Sequence, residues 1–218
     1  MKKDQWKAAL LYSTEYMCQA KEELTEIDAK FGDADHGVTM EKVSYCIQET
    51  LDSHDFQSIK TMMEAVGNAI MKLNGGASVP LWATYLGGFA IAFQDETNIT
   101  EKEVQEMFQN ALEEIQDLTT ARVGDKTMMD TLIPATAYIV EAQGTIEEIL
   151  KHGAEGARLG METTKQCIAK FGRAKNYKMQ TIGTPDVGAV SAMYFFEGLY
   201  KGLHIKEQNR TYKQVEEV

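Results

Sequence analysis

The chain has 218 residues, 44% of them hydrophobic, and carries a formal net charge of −11 at neutral pH. This length and hydrophobic content predict a single domain over residues 1–218 with a sizeable core, and they exclude a disordered chain. The acidity argues against a nucleic-acid partner, because that binding needs lysine and arginine to neutralise phosphates. A nucleotide stays compatible with this charge when a divalent metal bridges the two anions.

Membrane and secretory segments are not expected. No apolar run approaches the roughly 20 residues of a membrane span, and the run AALLY that follows Lys2 and Lys3 is too short for a signal peptide. The three cysteines have no CxxC spacing, which is typical of small core residues in a reducing compartment. We therefore expect a soluble, cytoplasmic protein with no membrane span.

Helical periodicity runs through the first half of the chain. The third stretch ends at Asn74-Gly75-Gly76, which suits a helix C-terminus, and Ser78 is a plausible N-cap for the next. Apolar residues recur at spacings of three and four over residues 3–27, 38–51, 56–73 and 78–93.

Four further helices are predicted in the second half. Thr100 with Glu103, and Thr145 with Glu148, form capping boxes that start two of them. Pro134 should either kink its helix or sit in the first turns. The predicted ranges are 100–118, 125–142, 145–170 and 185–203.

The predicted fold is all-α, with eight helices in one domain and no strand. Short connections favour antiparallel neighbours, and the alanines and glycines along residues 145–170 predict a closely packed neighbouring helix. Residues 172–184 show no period and indicate a loop. The charged tail after Leu203 is predicted to fray.

The segment Glu26–Met40 is the first candidate site. Asp28, Asp33 and Asp35 would repel one another if ionised, and oxygen ligands are what Mg²⁺ or Ca²⁺ prefers. An EF-hand is excluded, because counting from Asp33 the glycine falls at position five and Ser44 occupies position twelve. The loop leads into a helix whose free N–H groups attract phosphate oxygens.

Other glycine-containing loops are weaker candidates, because each alone is also typical of ordinary helix caps and turns. Lys126 in one of them could bind phosphate or pair on the surface with Asp125 or Asp130. His54 and the other histidines outside the acidic loop are expected on the surface. P-loop, GxGxxG and GxSxG motifs are absent. The loops are Gly75–Ser78, Gly124–Asp130, Gly172–Ala174 and Thr184–Gly188.

Taken together and in this order, the loops resemble the L subunit of dihydroxyacetone kinase, the DAK2 domain family. The matching motifs are Asp28 with GDADHG (32–37), GGASVPL (75–81), GDKTMMDTLIPA (124–135) and GRAKNY…IGTPDVGA (172–189). The chain departs from the family pattern at Ala34, Val79 and Ala83, where glycine is usual, and the family's YLGERS-like run after Arg173 is replaced.

The resemblance implies an eight-helix antiparallel barrel that holds a nucleotide at one end. It also implies two Mg²⁺ ions that bridge the phosphates to Asp28, Asp33 and Asp35. Arg173 would add charge near the transferred group and is the implied catalytic residue. The implied nucleotide-contacting positions are His36, Gly37, Val38 and Thr39 on the phosphate side, Ala77 and Ser78, Thr119 and Met128 near the base, and Arg173, Pro185, Asp186 and Val187 in the loop that closes the site and faces the partner.

The implied activity is transfer of a phosphoryl group to dihydroxyacetone held by a separate K subunit, which would also supply the catalytic base. The bound nucleotide would be ADP, recharged by a DhaM-like phosphotransferase-system protein, or freely exchanging ATP. A homodimer is expected. Two alternatives stay open: an ATP-dependent kinase subunit for another small ketose such as a tetrulose, and a nucleotide-loaded, non-catalytic regulator of a transcription factor.

Overall fold

A computed structural model describes residues 1–204 as helices joined by short connections. Short 3₁₀ segments occur at Phe89–Ala92, Thr164–Gln166 and Ala174–Thr181. The predicted frayed tail falls almost wholly on residues 205–218, outside the described part of the chain. The α-helices of residues 1–204 are α1 (Lys3–Gln19), α2 (Lys21–Asp28), α3 (His36–Ser53), α4 (Ile59–Ile70), α5 (Ser78–Gly88), α6 (Glu101–Leu118), α7 (Met129–Glu141), α8 (Ile146–Thr163) and α9 (Val187–Gly202).

The all-α prediction is confirmed. Between residues 1 and 204, β-type pairing is limited to an isolated bridge between Lys2 and Asn98. Both predicted capping boxes form, as at Thr100, whose hydroxyl accepts from the Glu103 amide while the Glu103 carboxylate accepts from the Thr100 amide at 2.7 Å. No helix within this part of the chain is long and apolar enough to cross a lipid bilayer.

The first predicted helix is in fact two helices. The Ala20 amide bonds the Met17 carbonyl at 3.2 Å, a three-residue closure that tightens the backbone between α1 and α2. Helix α2 then packs against α3 at Gly37, where a Cβ would collide with the Lys21 carbonyl and the Thr25 hydroxyl. The break therefore brings the first half of α2 next to the start of α3.

Two other predicted boundaries were wrong. Helix α8 ends at Thr163 and not near Lys170, because the Thr164 hydroxyl turns back to the Met161 carbonyl at 2.6 Å and the chain tightens into a 3₁₀ turn. Part of the predicted loop, Ala174–Thr181, is also 3₁₀, interrupted at Lys178 with φ 51°. Pro134 lies inside α7, in its second turn.

The helices enclose a core rich in aromatic rings. Helix α1 packs on α3 and α9, and contacts through α4, α5, α6, α7 and α8 join those two around the molecule. Edge-to-face contacts link Trp82 with Phe195 at 5.2 Å and Phe89 with Phe108 at 4.9 Å, geometries that add to the stabilisation from burial. The eight-helix antiparallel barrel stays a prediction.

Helices α7 and α8 pack closely together, which confirms the prediction from small residues. Gly153, Gly156 and Gly160 face α7, and a Cβ on Gly160 would collide with the Asp130 carbonyl and the Pro134 ring. The contact is backbone against backbone, so neither side can yield by changing a rotamer.

Gly160→Ala should therefore lower the free energy of unfolding by about 1–3 kcal/mol, the usual range for overpacking. The measurement is denaturant unfolding followed by circular dichroism. Gly76→Ala is the matched control, because a Cβ there meets nothing within 4 Å. Equal midpoints for the two variants would contradict the close approach.

Candidate functional site

A cavity of about 330 Å³ opens at the N-terminal end of α5. Its wall is formed by four segments that are distant in sequence. They are the end of α2 with the following loop (27–36), the start of α5 (76–82), residues 126–128, and residues 171–188 between α8 and α9. The four motif loops singled out from the sequence thus meet around one space.

The acidic loop is folded by Asp28 itself. Its Oδ2 accepts hydrogen bonds from the Asp35 amide at 3.0 Å and the His36 amide at 3.3 Å, which turns the chain back onto the end of α2. One carboxylate oxygen each from Asp28, Asp33 and Asp35 then lies within 4.8 Å of the others. The turn places Ala34 at φ 60°, a left-handed conformation that costs an alanine roughly 1–2 kcal/mol more than a glycine.

The electrostatics of this cluster favour a cation. Partial desolvation and the charges of Asp33 and Asp28 raise the pKa of Asp35 above its ordinary value. Arg173 reaches across the cavity mouth and forms an ion pair with Asp33. Three convergent carboxylates with one cationic neighbour form a donor set that fits a hard divalent ion such as Mg²⁺.

His36 anchors the loop to α9. Its Nε2 lies 3.0 Å from the Ser191 hydroxyl, which itself donates to the Gly188 carbonyl at 3.0 Å. Since the serine hydrogen is used there, Nε2–H must be the donor of the imidazole. Burial lowers the pKa of His36 to about 4, so the ring is neutral at physiological pH.

The other phosphate-side positions do not line the cavity. Gly37, Val38 and Thr39 form the first turn of α3 and are not part of the lining. Thr39 is buried, and its amide bonds the Asp35 carbonyl at 2.9 Å. Of the residues predicted in this loop, the lining includes the three aspartates and His36.

Ala77 and Ser78 line the cavity as predicted, at the start of α5. Ser78 was expected to cap this helix, which is wrong: it is the first helical residue, and Ala77 occupies the cap position without a side-chain bond. One turn further on, Trp82 is buried in the same wall. Its indole N–H has no hydrogen-bond partner among the described residues.

Met128 is buried and lines the cavity, whereas Thr119 does not. The Thr119 hydroxyl accepts from the Ala121 amide at 3.2 Å, in the connection after α6. A contact of Thr119 with a nucleobase stays a prediction.

The interpretation that paired Lys126 on the surface with Asp125 or Asp130 was wrong, whereas a phosphate contact stays a prediction, since Lys126 lines the cavity. The residue is only 3% exposed, and its Nζ donates to the carbonyls of Thr164 and Thr184, each at 2.5 Å. Asp125 pairs instead with Lys170 at 2.6 Å.

The segment that closes the cavity is attached to the acidic loop at two points. One is the Arg173–Asp33 ion pair, and the other is a tilted ring contact between Phe31 and Tyr177 with centroids 5.2 Å apart. Pro185, Asp186 and Val187 line the cavity at the end of this segment. Asp186 caps α9, because its Oδ2 accepts from the Ala189 amide at 2.8 Å.

Burial raises the pKa of Asp186 to about 7. Between about pH 4 and pH 7 the folded protein therefore holds a proton that the unfolded chain releases, and stability falls as pH rises through this window.

Asp186→Asn keeps the cap, since asparagine caps as well as aspartate. We expect the variant to gain on the order of 1–2 kcal/mol over the parent at pH 8, measured by urea unfolding at several pH values. A pH-independent difference would contradict the raised pKa.

Most lining residues that the sequence did not single out are apolar or glycine. Helical spacing cannot separate a residue that lines a cavity from one that fills the core, so these carry no signal of their own. Trp82 and Phe171 lie outside the candidate segments. The others lie inside them: Ile27, Phe31, Gly32, Gly76, Leu81, Thr127, Gly172, Ala174 and Gly188.

Comparison with known proteins gives matches along most of the chain. A family model described as the DAK2 domain matches residues 30–201. The ADP-binding subunit DhaL of the PEP-dependent dihydroxyacetone kinase of Escherichia coli is 29% identical over 192 residues, covering 87% of this chain and 89% of that protein. The L-erythrulose kinase of Pectobacterium atrosepticum is 31% identical over 174 residues, covering 78% of this chain and 30% of that protein.

A solved structure shares the fold. The dihydroxyacetone kinase from C. freundii in complex with AMP-PNP and Mg²⁺ superposes with a TM-score of 0.70 at 22% identity, covering 89% of this chain and 33% of that one. The chain thus spans about a third of the longer kinases and most of the length of the DhaL subunit.

Proposed function

The chain belongs to the DAK2 domain family, and from this membership we propose that it is the nucleotide-binding phosphotransferase subunit of a ketose kinase. The substrate is dihydroxyacetone held by a separate K subunit, and the bound nucleotide is ADP. The observation that carries the proposal is the convergence of Asp28, Asp33 and Asp35 at the mouth of a cavity. A cavity of about 330 Å³ is within the range of small-molecule sites.

Different lining residues would hold the metal ions, the phosphates and the base of the nucleotide. Asp28, Asp33 and Asp35 would hold two Mg²⁺ ions, which supply charge neutralisation on the phosphates when bound. The amides at the start of α5, with Ala77 and Ser78, face the same space and suit phosphate oxygens. Met128 and the other apolar lining residues suit a nucleobase.

The chain's own catalytic contribution is orientation and charge. Arg173 is placed beside the acidic cluster and would stabilise negative charge on the group in transfer. His36 stays neutral and fixes the loop. The base that accepts the ketose proton is assigned to the K subunit, so none is assigned on this chain.

The similarity to a DhaL subunit supports the proposed role. The chain covers 89% of the E. coli DhaL subunit, which is named as ADP-binding and PEP-dependent. That name favours tightly held ADP recharged by a phosphotransferase-system donor. A single cytoplasmic domain and a homodimer complete the proposal.

A second candidate is a kinase subunit for a four-carbon ketose. It is favoured by the L-erythrulose kinase of P. atrosepticum, which is 31% identical over the matched residues. Reconstitution with candidate K subunits and each ketose, followed by product analysis, separates the two candidates by the ketose that is consumed.

The direct test is the nucleotide content of the purified protein. Denaturation should release close to one adenine nucleotide per chain, measured by absorbance and chromatography. For stripped protein, Mg²⁺ with ADP at 100 times the dissociation constant should raise the melting temperature by roughly 5–10 °C. The absence of both nucleotide release and a thermal shift would contradict the proposal. Retention of ADP through dialysis would favour the phosphotransferase-system donor, and fast exchange would favour ATP.

A further inference from the structure

The two ends of the segment between α8 and α9 lie next to each other. The Gly183 amide bonds the Lys165 carbonyl at 2.7 Å, which closes residues 165–183 into a loop with a narrow neck. Arg173 lies in this loop, and Pro185 and Asp186 follow directly after the neck. The geometry of the neck therefore sets where these cavity-lining residues lie.

One side chain spans the neck. The Lys126 ammonium donates at 2.5 Å to the Thr164 carbonyl, just before the loop, and at 2.5 Å to the Thr184 carbonyl, just after it. Because the bond to the Thr164 carbonyl is buried, water cannot replace it without the neck opening. The Asp186 amide also bonds the Thr164 hydroxyl at 3.0 Å, which ties the following turn to the same point.

The backbone at Lys126 is consistent with a position fixed by its surroundings. Its φ of 61° lies in the left-handed region, which a long side chain rarely adopts. Such conformations persist where the surrounding structure holds them, and they concentrate at functional sites. Burial lowers the pKa of Lys126, and the charges of Asp186, Cys167 and Asp130 oppose this shift only in part.

We propose that Lys126 is a positioning residue that clamps the neck of loop 165–183, and so holds Arg173 and Asp186 at the nucleotide cavity. This inference rests on the proposed function for its effect on nucleotide binding. The clamp itself rests on two hydrogen bonds from one buried ammonium to both ends of the loop. A neutral apolar residue would remove the side-chain donor from both carbonyls, leaving the Thr164 carbonyl with only the Cys167 amide at 3.1 Å.

Lys126→Met tests the clamp by hydrogen exchange on the ligand-free protein. The amides of Ala169, Lys170 and Gly183 are bonded within the loop or to its base and should exchange about tenfold faster or more. Amides in α3 to α6 should keep their parent rates. Lys170→Met is the matched control, because it removes an exposed ion pair with Asp125 from the same loop.

Nucleotide binding gives the second readout. Lys126→Met should weaken binding of Mg²⁺–ADP about tenfold or more, and Lys126→Arg, which retains charge and donors, should restore most of the loss. Lys170→Met should bind as the parent does. If Lys126→Met fails to fold, Lys126→Gln, which keeps an N–H donor, is measured in its place.

The two ideas fail in different ways. Unchanged loop exchange in Lys126→Met, or an equal increase in every helix, overturns the clamp. A parent protein that binds no nucleotide overturns the proposed function, while the exchange experiment still tests the clamp. Faster loop exchange with unchanged affinity overturns the positioning role.

Discussion

The Asp35→Asn variant is expected to lose phosphoryl transfer by about a hundredfold or more while folding as the parent does. The loss follows from removing one of three carboxylates whose oxygens lie within 4.8 Å of one another. An amide oxygen keeps the shape of the ligand but lacks the charge that a hard divalent ion needs.

The fold should tolerate this change because the Asp35 side chain does not cap α3. It stands at the N-cap position of α3 without accepting a cap hydrogen bond, and the acidic loop is held by the Asp35 amide. Partial desolvation and the charges of Asp33 and Asp28 raise the pKa of Asp35, so its ionised form is disfavoured in the metal-free protein. The variant should therefore be at least as stable as the parent without metal, and less stabilised than the parent when Mg²⁺ and ADP are added.

Transfer assays and thermal melts with and without Mg²⁺ measure the two effects. Asp117→Asn is the matched control, since it removes the same charge from an exposed position at the end of α6. A fully active Asp35→Asn variant would remove the argument for a metal held by these carboxylates. A loss of helical content would show that Asp35 has a structural role after all.

The helices were predictable where local signals and tertiary packing agree. The capping boxes at Thr100 and Thr145 satisfy backbone donors within a single turn, so four residues of sequence were enough to locate both starts. The ends of α1 and α8 were not predictable in this way. Their positions depend on packing at Gly37 and on the Thr164 hydroxyl, which lie outside any local periodicity.

The site was predictable where the chemistry is local. Asp28, Asp33 and Asp35 are close in sequence, and any compact turn brings them together. The hydrogen bonds of Lys126 were not predictable, because its partners are backbone carbonyls 38 and 58 residues away and carbonyl positions leave no trace in the sequence. The apolar lining residues were not predictable for another reason: Trp82 and its neighbours have the composition of a core helix.

Arg173→Ala should have two effects of opposite sign. In the structure Arg173 is paired with Asp33, one of the three carboxylates of the acidic cluster. A divalent ion binding there must displace the guanidinium or share the carboxylate with it. Removing the arginine should therefore raise the affinity for Mg²⁺ in the absence of nucleotide, by up to about fivefold, which is the scale of an exposed ion pair.

The same substitution should lower phosphoryl transfer by about a hundredfold or more, because a charge that stabilises the group in transfer is worth far more than a surface ion pair. Titration with Mg²⁺ alone and single-turnover transfer separate the two effects. Lys175→Ala removes one positive charge from an exposed position in the same segment, and should change neither Mg²⁺ affinity nor transfer.

Arg173→Lys should keep most of the competition with Mg²⁺ for Asp33, because that competition depends on charge. It should lose much of the phosphoryl transfer, because a lysine cannot reproduce the planar two-donor geometry. Weaker Mg²⁺ binding in Arg173→Ala would show that the guanidinium organises the carboxylates for the metal and does not compete with it.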